Sequence, residues 1–180
     1  MFAERYLNAL STSNLQDDDQ HHQTEPLVAA ALADLSGGSG ELFGSMLLRA
    51  HIAGVPRQPV ESAARELAIL LRVWTSAVAH KGFERKWFNI KAEWDIAAAY
   101  GLYKKIARTS LAHWLGGECE CCHGTKVVGG RACTHCNGTG REPVLGGAIE
   151  REKVLDMVSE LEGLFQAHSA RAAVKMRRAA

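Results

Sequence analysis

The sequence predicts a mainly α-helical protein: a helical domain carrying an inserted small metal-binding module of loops and a short β-hairpin. Three observations predict it. Apolar residues recur at three- and four-residue steps over most of the chain, and strand-like alternation is nearly absent outside the module. All five cysteines fall between Cys119 and Cys136, where they cannot clamp distant parts of a fold.

The 180 residues suffice for one domain, or one domain with a small module. A composition of 47% hydrophobic and 23% charged residues fits a globular protein with a real core. With a formal net charge of only +1, a nucleic-acid partner would have to be read by a local patch. No apolar run reaches the roughly 20 residues of a membrane helix. Met1-Phe2-Ala3-Glu4-Arg5 has neither the basic start nor the apolar stretch of a signal peptide. These features predict a cytoplasmic protein, and in a reducing compartment clustered cysteines argue for metal rather than disulfides.

Residues 1–39 are expected to form a flexible N-terminal region with one short helix, Leu27 to Leu35. His21-His22 in its polar stretch are read as solvated side chains, and Asp17-Asp18-Asp19, in the same expected mobile tail, as poor candidates for holding magnesium. Residues 40–117 are expected to form the helical domain. It begins with a helix from Glu41 to Ala53, and Val55-Pro56-Arg57-Gln58-Pro59 then turns the chain. The clearest helix runs from Val60 to His80, with Val60, Ala63, Leu67, Leu70, Leu71, Trp74 and Val78 as its stripe and Gly82 as its C-cap. A basic, aromatic connection follows, containing Phe83, Arg85, Lys86, Trp87 and Phe88. A second long helix spans about Ala92 to Trp114, with Trp94, Ala97, Ala98, Gly101, Leu102 and Ile106 as its expected inner face and Leu111 near its end. Gly116-Gly117 ends it. Residues 118–142 are the module, and residues 143–180 a C-terminal helix packing on the helical domain, with Val154, Val158, Leu161 and Phe165 at helical spacing.

The module reads Cys119-Glu120-Cys121-Cys122-His123-Gly124-Thr125 and then Cys133-Thr134-His135-Cys136-Asn137-Gly138-Thr139-Gly140. Two C-x-x-C pairs thus flank a ten-residue loop. Each pair sets two sulfurs on one edge of a tetrahedron, which is the geometry zinc prefers. The glycine two residues beyond each pair lets the chain turn back sharply. Val127 to Arg131 reads as a hairpin tip with Gly129-Gly130 as its turn. One structural zinc on Cys119, Cys122, Cys133 and Cys136 follows; four protein ligands leave no open position for catalysis. Cys121 is left as a surface thiol, with His123 and His135 as spare candidate ligands.

The doubled C-x-x-C-x-Gly text resembles the zinc repeats of DnaJ-type chaperones, which carry four repeats and a His-Pro-Asp helical domain; this chain has two repeats and no His-Pro-Asp. It more closely resembles the lambda-type Q antitermination proteins of bacteriophages. Cys122-His123-Gly124-Thr125, the closing Gly138-Thr139-Gly140, Phe43-Gly44 in a Gly-rich joint and the helix leading into the cysteines carry that likeness, over roughly residues 35–170. The resemblance implies a late-gene antitermination factor in a bacterial host. Such proteins bind double-stranded DNA in a late promoter, engage paused RNA polymerase holoenzyme and travel with it through terminators. A DnaJ-like polypeptide-binding module, or an RNA-binding scaffold with a structural zinc, is the alternative.

Basic residues that could meet DNA are Lys126, Arg131 and Arg141 in the module and Arg85 and Lys86 in the aromatic connection. Lys104, Lys105 and Arg108 stand on the polar side of the second long helix. Trp87, Phe88 and Trp94 could stack on bases, but aromatics beside long helices are expected in the core. No Gly-rich phosphate loop, Ser-His-Asp set or His-Glu-x-x-His text points to an enzyme.

Overall fold

The computed structural model describes residues 25–36, 43–52, 60–88 and 93–179. The expectations for His21-His22, the acidic stretch, the Gly-rich joint and the proline turn lie outside them. Among the described residues the protein is mainly helical, as expected, with helices α1 (Glu25–Ser36), α2 (Phe43–Ile52), α3 (Val60–Glu84), α4 (Glu93–Gly116) and α5 (Ala148–Ala179). A two-stranded antiparallel sheet, β1 (Val127–Val128) and β2 (Arg131–Ala132), stands between α4 and α5 in sequence. No described helix is long and apolar enough to cross a membrane.

The chain divides into two compact units, Met1–Leu70 with Glu162–Ala180, and Leu71–Leu161. Both boundaries fall inside helices, α3 and α5.

In the first unit Ala29, Ala30 and Ala33 of α1, Leu47 and Leu48 of α2, and His168 and Ala172 of α5 are buried. The first turn of any helix leaves amides unpaired. Here Asp34 meets one, accepting from the Ser45 amide at 3.1 Å. Arg171 Nε donates to the Ala33 carbonyl at 3.0 Å. His168 and Asp34 are both buried, with Nδ1 3.1 Å from Oδ1. Gly44 lies against this pair; a Cβ there would come within 2.5 Å of the imidazole.

The second unit buries Trp74 and Val78 from α3, Tyr103, Ile106, Leu111 and Trp114 from α4, and Val154, Met157 and Leu161 from α5. The Trp74 indole donates to Ser110 Oγ at 2.9 Å, and Ser110 donates onward to the Ala107 carbonyl at 3.2 Å. The apolar surface is thereby buried without stranding the indole proton. Lys105 meets Glu150 at 2.8 Å, tying α4 to α5.

Two helix expectations are corrected. Gly82 is not the cap of α3; the helix continues to Glu84. The glycine is there for packing, since a Cβ would lie 2.3 Å from the Tyr103 ring and 2.9 Å from Trp87. The cap comes later, as a Schellman motif: the Trp87 amide donates to the Gly82 carbonyl, the Lys86 amide to that of Phe83, and Lys86 takes the left-handed position at φ 51°. The inner face of α4 is the expected one at Ile106 and Leu111 but not in the first half of the helix. Trp94, Ala97, Ala98, Gly101 and Leu102 are exposed, while Ala99, Tyr103, Ile106, Ser110 and Trp114 turn inward. Both series have helical spacing, and the first half of α4 is apolar on nearly every side, so periodicity alone does not choose between them. Leu67 of α3 is likewise exposed.

Candidate metal centre and basic surface

The module hangs from the end of α4. The Gly117 amide closes the last turn on the His113 carbonyl, and the Glu142 amide donates back to the Gly117 carbonyl at 2.9 Å. Glu118 and Arg141 form an antiparallel bridge, so the chain leaves the module beside where it entered.

Within it the two halves are built alike. After the first pair, His123 and Gly124 adopt φ of 48° and 76°; after the second, Asn137 and Gly138 adopt 51° and 73°. Thr125 donates its hydroxyl to the Cys122 carbonyl, and Thr139 does so to Cys136. Each half then pairs with the other: the Cys133 amide donates to the Lys126 carbonyl at 2.9 Å, and the Cys119 amide to that of Gly140 at 3.0 Å. The left-handed position closing each half holds Lys126 at φ 69° in one and Gly140 at φ 79° in the other. At Gly140 a Cβ would lie 2.8 Å from the Gly124 carbonyl oxygen and 3.0 Å from Lys126 Cγ. The hairpin is as expected, with Val127 opposite Ala132, Val128 opposite Arg131, and Gly129-Gly130 at positive φ in the turn.

This framework brings Cys119, Cys122, Cys133 and Cys136 together as one buried cluster, their sulfurs all within 4.8 Å of one another. The Cys119–Cys133 and Cys122–Cys136 sulfurs are 3.9 and 3.7 Å apart. Four thiolates around a metal at about 2.3 Å define a tetrahedron with edges of about 3.8 Å. The four cysteines are therefore spaced to hold one metal ion. Burial pushes the Cys119 thiol up to about 11. Burial also acts to raise Cys136, but the Gly140 amide, 3.3 Å from its sulfur, and the neighbouring sulfurs hold it down to about 6. Cys133 is lowered chiefly by the Cys136 amide. Amide donors aimed at sulfur are what a thiolate site needs. Cys121 is exposed and stands outside the set of four.

His135, a spare ligand in the sequence reading, instead pairs with Glu142 at 2.6 Å. That contact raises the imidazole and lowers the carboxyl, which also accepts from the Glu120 amide. The pair lies close enough to Cys119 to share a metal with it, but both side chains are partly exposed and already satisfy each other. His123 is exposed.

The basic candidates separate. Lys126, just before β1, and Arg131, in β2, are exposed, and Arg141 is exposed at its bridge with Glu118, its guanidinium 3.4 Å from the His113 carbonyl. Lys86 is exposed at its helix cap. Arg85 is committed elsewhere: its guanidinium bridges Glu160 and Asp156 of α5, and the hydrogen bond to Glu160 is the main cause of its raised pKa. A phosphate would have to displace two carboxylates to reach it. Nothing in the sequence marks this, because the partners lie more than seventy residues away. Trp87 and Phe88 are half-buried and pack on Tyr103, with ring centroids 6.3 and 5.4 Å away. Trp94, expected in the core, is among the most exposed large apolar residues.

No protein-family model, no curated protein and no solved structure matches this chain.

Proposed function

We propose that the protein is a zinc-stabilised, DNA-binding transcription regulator, acting as a phage late-gene antitermination factor that engages paused RNA polymerase. The observation that carries the reading is the module. A four-thiolate site with no open coordination position is a scaffold rather than a reaction centre. What it supports here is a two-stranded hairpin with Lys126 and Arg131 exposed beside a glycine turn. A two-stranded ribbon fits the major groove of duplex DNA, where lysine and arginine meet phosphates or guanine edges. The link to antitermination rests on the likeness of the doubled Cys-x-x-Cys-x-Gly text to lambda-type Q proteins.

A DnaJ-like polypeptide-binding role would be favoured by an apolar groove beside the cysteine pairs. One apolar groove among the described residues, of about 430 Å³, is lined by Ala79, Phe83, Ile96, Ala99, Tyr100 and Tyr103. All six belong to α3 and α4, and none to the module.

The test is transcription through a terminator. Polymerase is paused at the cognate late promoter, the protein is added, unbound protein is washed away and transcription resumes. Readthrough that survives the wash is the expected result. Readthrough that never occurs on any late-promoter template, with the protein folded and metal-loaded, refutes the proposal. Arg131→Ala should also lower the salt slope of duplex binding by about one unit if the hairpin holds a phosphate.

A further inference from the structure

The outward side of α4 carries a continuous strip at positions 94, 97, 101, 104 and 108. These steps of three and four keep Trp94, Ala97, Gly101, Lys104 and Arg108 on one face. That face lies opposite the buried Ala99, Tyr103, Ile106 and Ser110. Every member of the strip is exposed, and Trp94 is 73% exposed. A Cβ at Gly101 would meet nothing within 4 Å, so the middle of the strip is open and flat. Lys104 lies over the Tyr100 ring at 4.7 Å, which orients its ammonium along the helix. The neighbouring Lys105 is held by Glu150 and is left out of the set.

Charge decides what this strip suits. From Ile96 to Gly117 the sequence contains no aspartate or glutamate, while Lys104 and Arg108 of the strip are cationic. Glu93 and Asp95 flank Trp94 in the sequence, but none of the strip's own positions is acidic. An aromatic platform followed by cations along one face complements a polyanion with exposed π-faces. Duplex DNA buries its bases in the stack, whereas a single strand offers them. Trp94 and Arg108 are fourteen residues apart, or about 21 Å along the helix, room for a few nucleotides.

We propose that this face of α4 binds single-stranded nucleic acid, with Trp94 stacking on a base while Lys104 and Arg108 contact phosphates. The surface is separate from the hairpin assigned to duplex DNA, and it stands whether or not that assignment holds. A regulator that rides on a transcribing polymerase has such strands within reach, both in the opened duplex and in the emerging transcript.

The experiment titrates the full metal-loaded chain with labelled oligonucleotides of about 12 nucleotides, as single-stranded RNA, single-stranded DNA and duplex, following anisotropy and tryptophan emission. Single strands should bind and quench tryptophan emission. Trp94→Ala should weaken single-strand binding about 5- to 100-fold, while Trp94→Phe retains most of it. Arg108→Ala should reduce the log–log salt slope by about 0.7. Arg131→Ala should leave single-strand binding unchanged, which separates this surface from the hairpin. Because Trp94 lies outside the core, matching circular dichroism should show that all variants are folded. Wild-type single-strand affinity in both Trp94→Ala and Arg108→Ala overturns the proposal. So does a wild-type protein that ignores single strands, or one in which Trp94→Ala changes only self-association or protein binding.

Discussion

Lys126→Gly should tighten the metal site even though it removes a surface cation. Lys126 holds a left-handed backbone at φ 69°, and its counterpart in the other half of the module is Gly140 at φ 79°. A non-glycine residue there costs roughly 1–2 kcal/mol. Glycine relieves that, but its freer unfolded chain returns about 0.4–1 kcal/mol. The net gain is about 0.5–1 kcal/mol, or roughly a 2- to 5-fold tighter hold on the metal where site folding and binding are one equilibrium. The reverse change at the paired position is asymmetric. Gly140→Ala places a methyl 2.8 Å from the Gly124 carbonyl oxygen and 3.0 Å from Lys126 Cγ, so it should loosen the site. Competition with a chromophoric chelator measures both. If Lys126→Gly surrenders metal more readily than wild type, or Gly140→Ala holds it equally well, the reasoning from backbone strain is wrong. Duplex affinity of the same Lys126→Gly protein should fall while its metal affinity rises, which separates stability from DNA contact.

Two further outcomes are expected. Protein purified without added zinc should contain one zinc per chain; Cys136→Ser should lose it, with a loss of local folding energy on the order of 10 kcal/mol, whereas Cys121→Ser should keep it. Retention by Cys136→Ser together with loss in Cys121→Ser would show the ligand set to be wrong. The other concerns acid. Burial holds the His168 imidazole below its ordinary pKa, Asp34 pulling it up and Arg171 pushing it further down. The unfolded chain therefore takes up a proton that the native state resists, so His168 lowers stability as pH falls below about 6.5. Urea unfolding at neutral and mildly acidic pH should give a steeper loss for wild type than for His168→Gln; equal slopes would refute the assignment.

The module was legible almost to the residue because its information is local. Cys119 to Gly140 contains the ligands, the turn glycines and the hairpin, and each interacts with the others within that stretch. The helices were legible as helices because three- and four-residue periodicity is a property of a short window. Which side of α4 faces inward was not, because Trp94 and Tyr103 are both large and aromatic and only the surrounding helices decide between them. Gly82 read as a stop because glycine ends helices more often than it makes room for a ring. The buried Asp34–His168 pair and the grip of Asp156 and Glu160 on Arg85 join residues far apart in sequence. No window contains both partners.

The cross-linking of the two halves of the module has a consequence for how the protein is made. Neither Cys-x-x-Cys turn is complete alone: the Cys119 amide needs the Gly140 carbonyl, and the Cys133 amide needs that of Lys126. A nascent chain cut short before the second pair would thus have no half-strength site to mature later. Once Glu142 has emerged, every ligand and every backbone partner is in hand, and closing a loop of this size takes on the order of 10–100 ns. Translation, at about 5–20 residues per second, is roughly a million times slower per residue. A metal centre on the four cysteines can therefore assemble as soon as Glu142 leaves the ribosome, while α5 still lies inside it. It would then serve as a finished hinge pin that sets where the chain resumes after α4, before the last helix has begun its search for a partner.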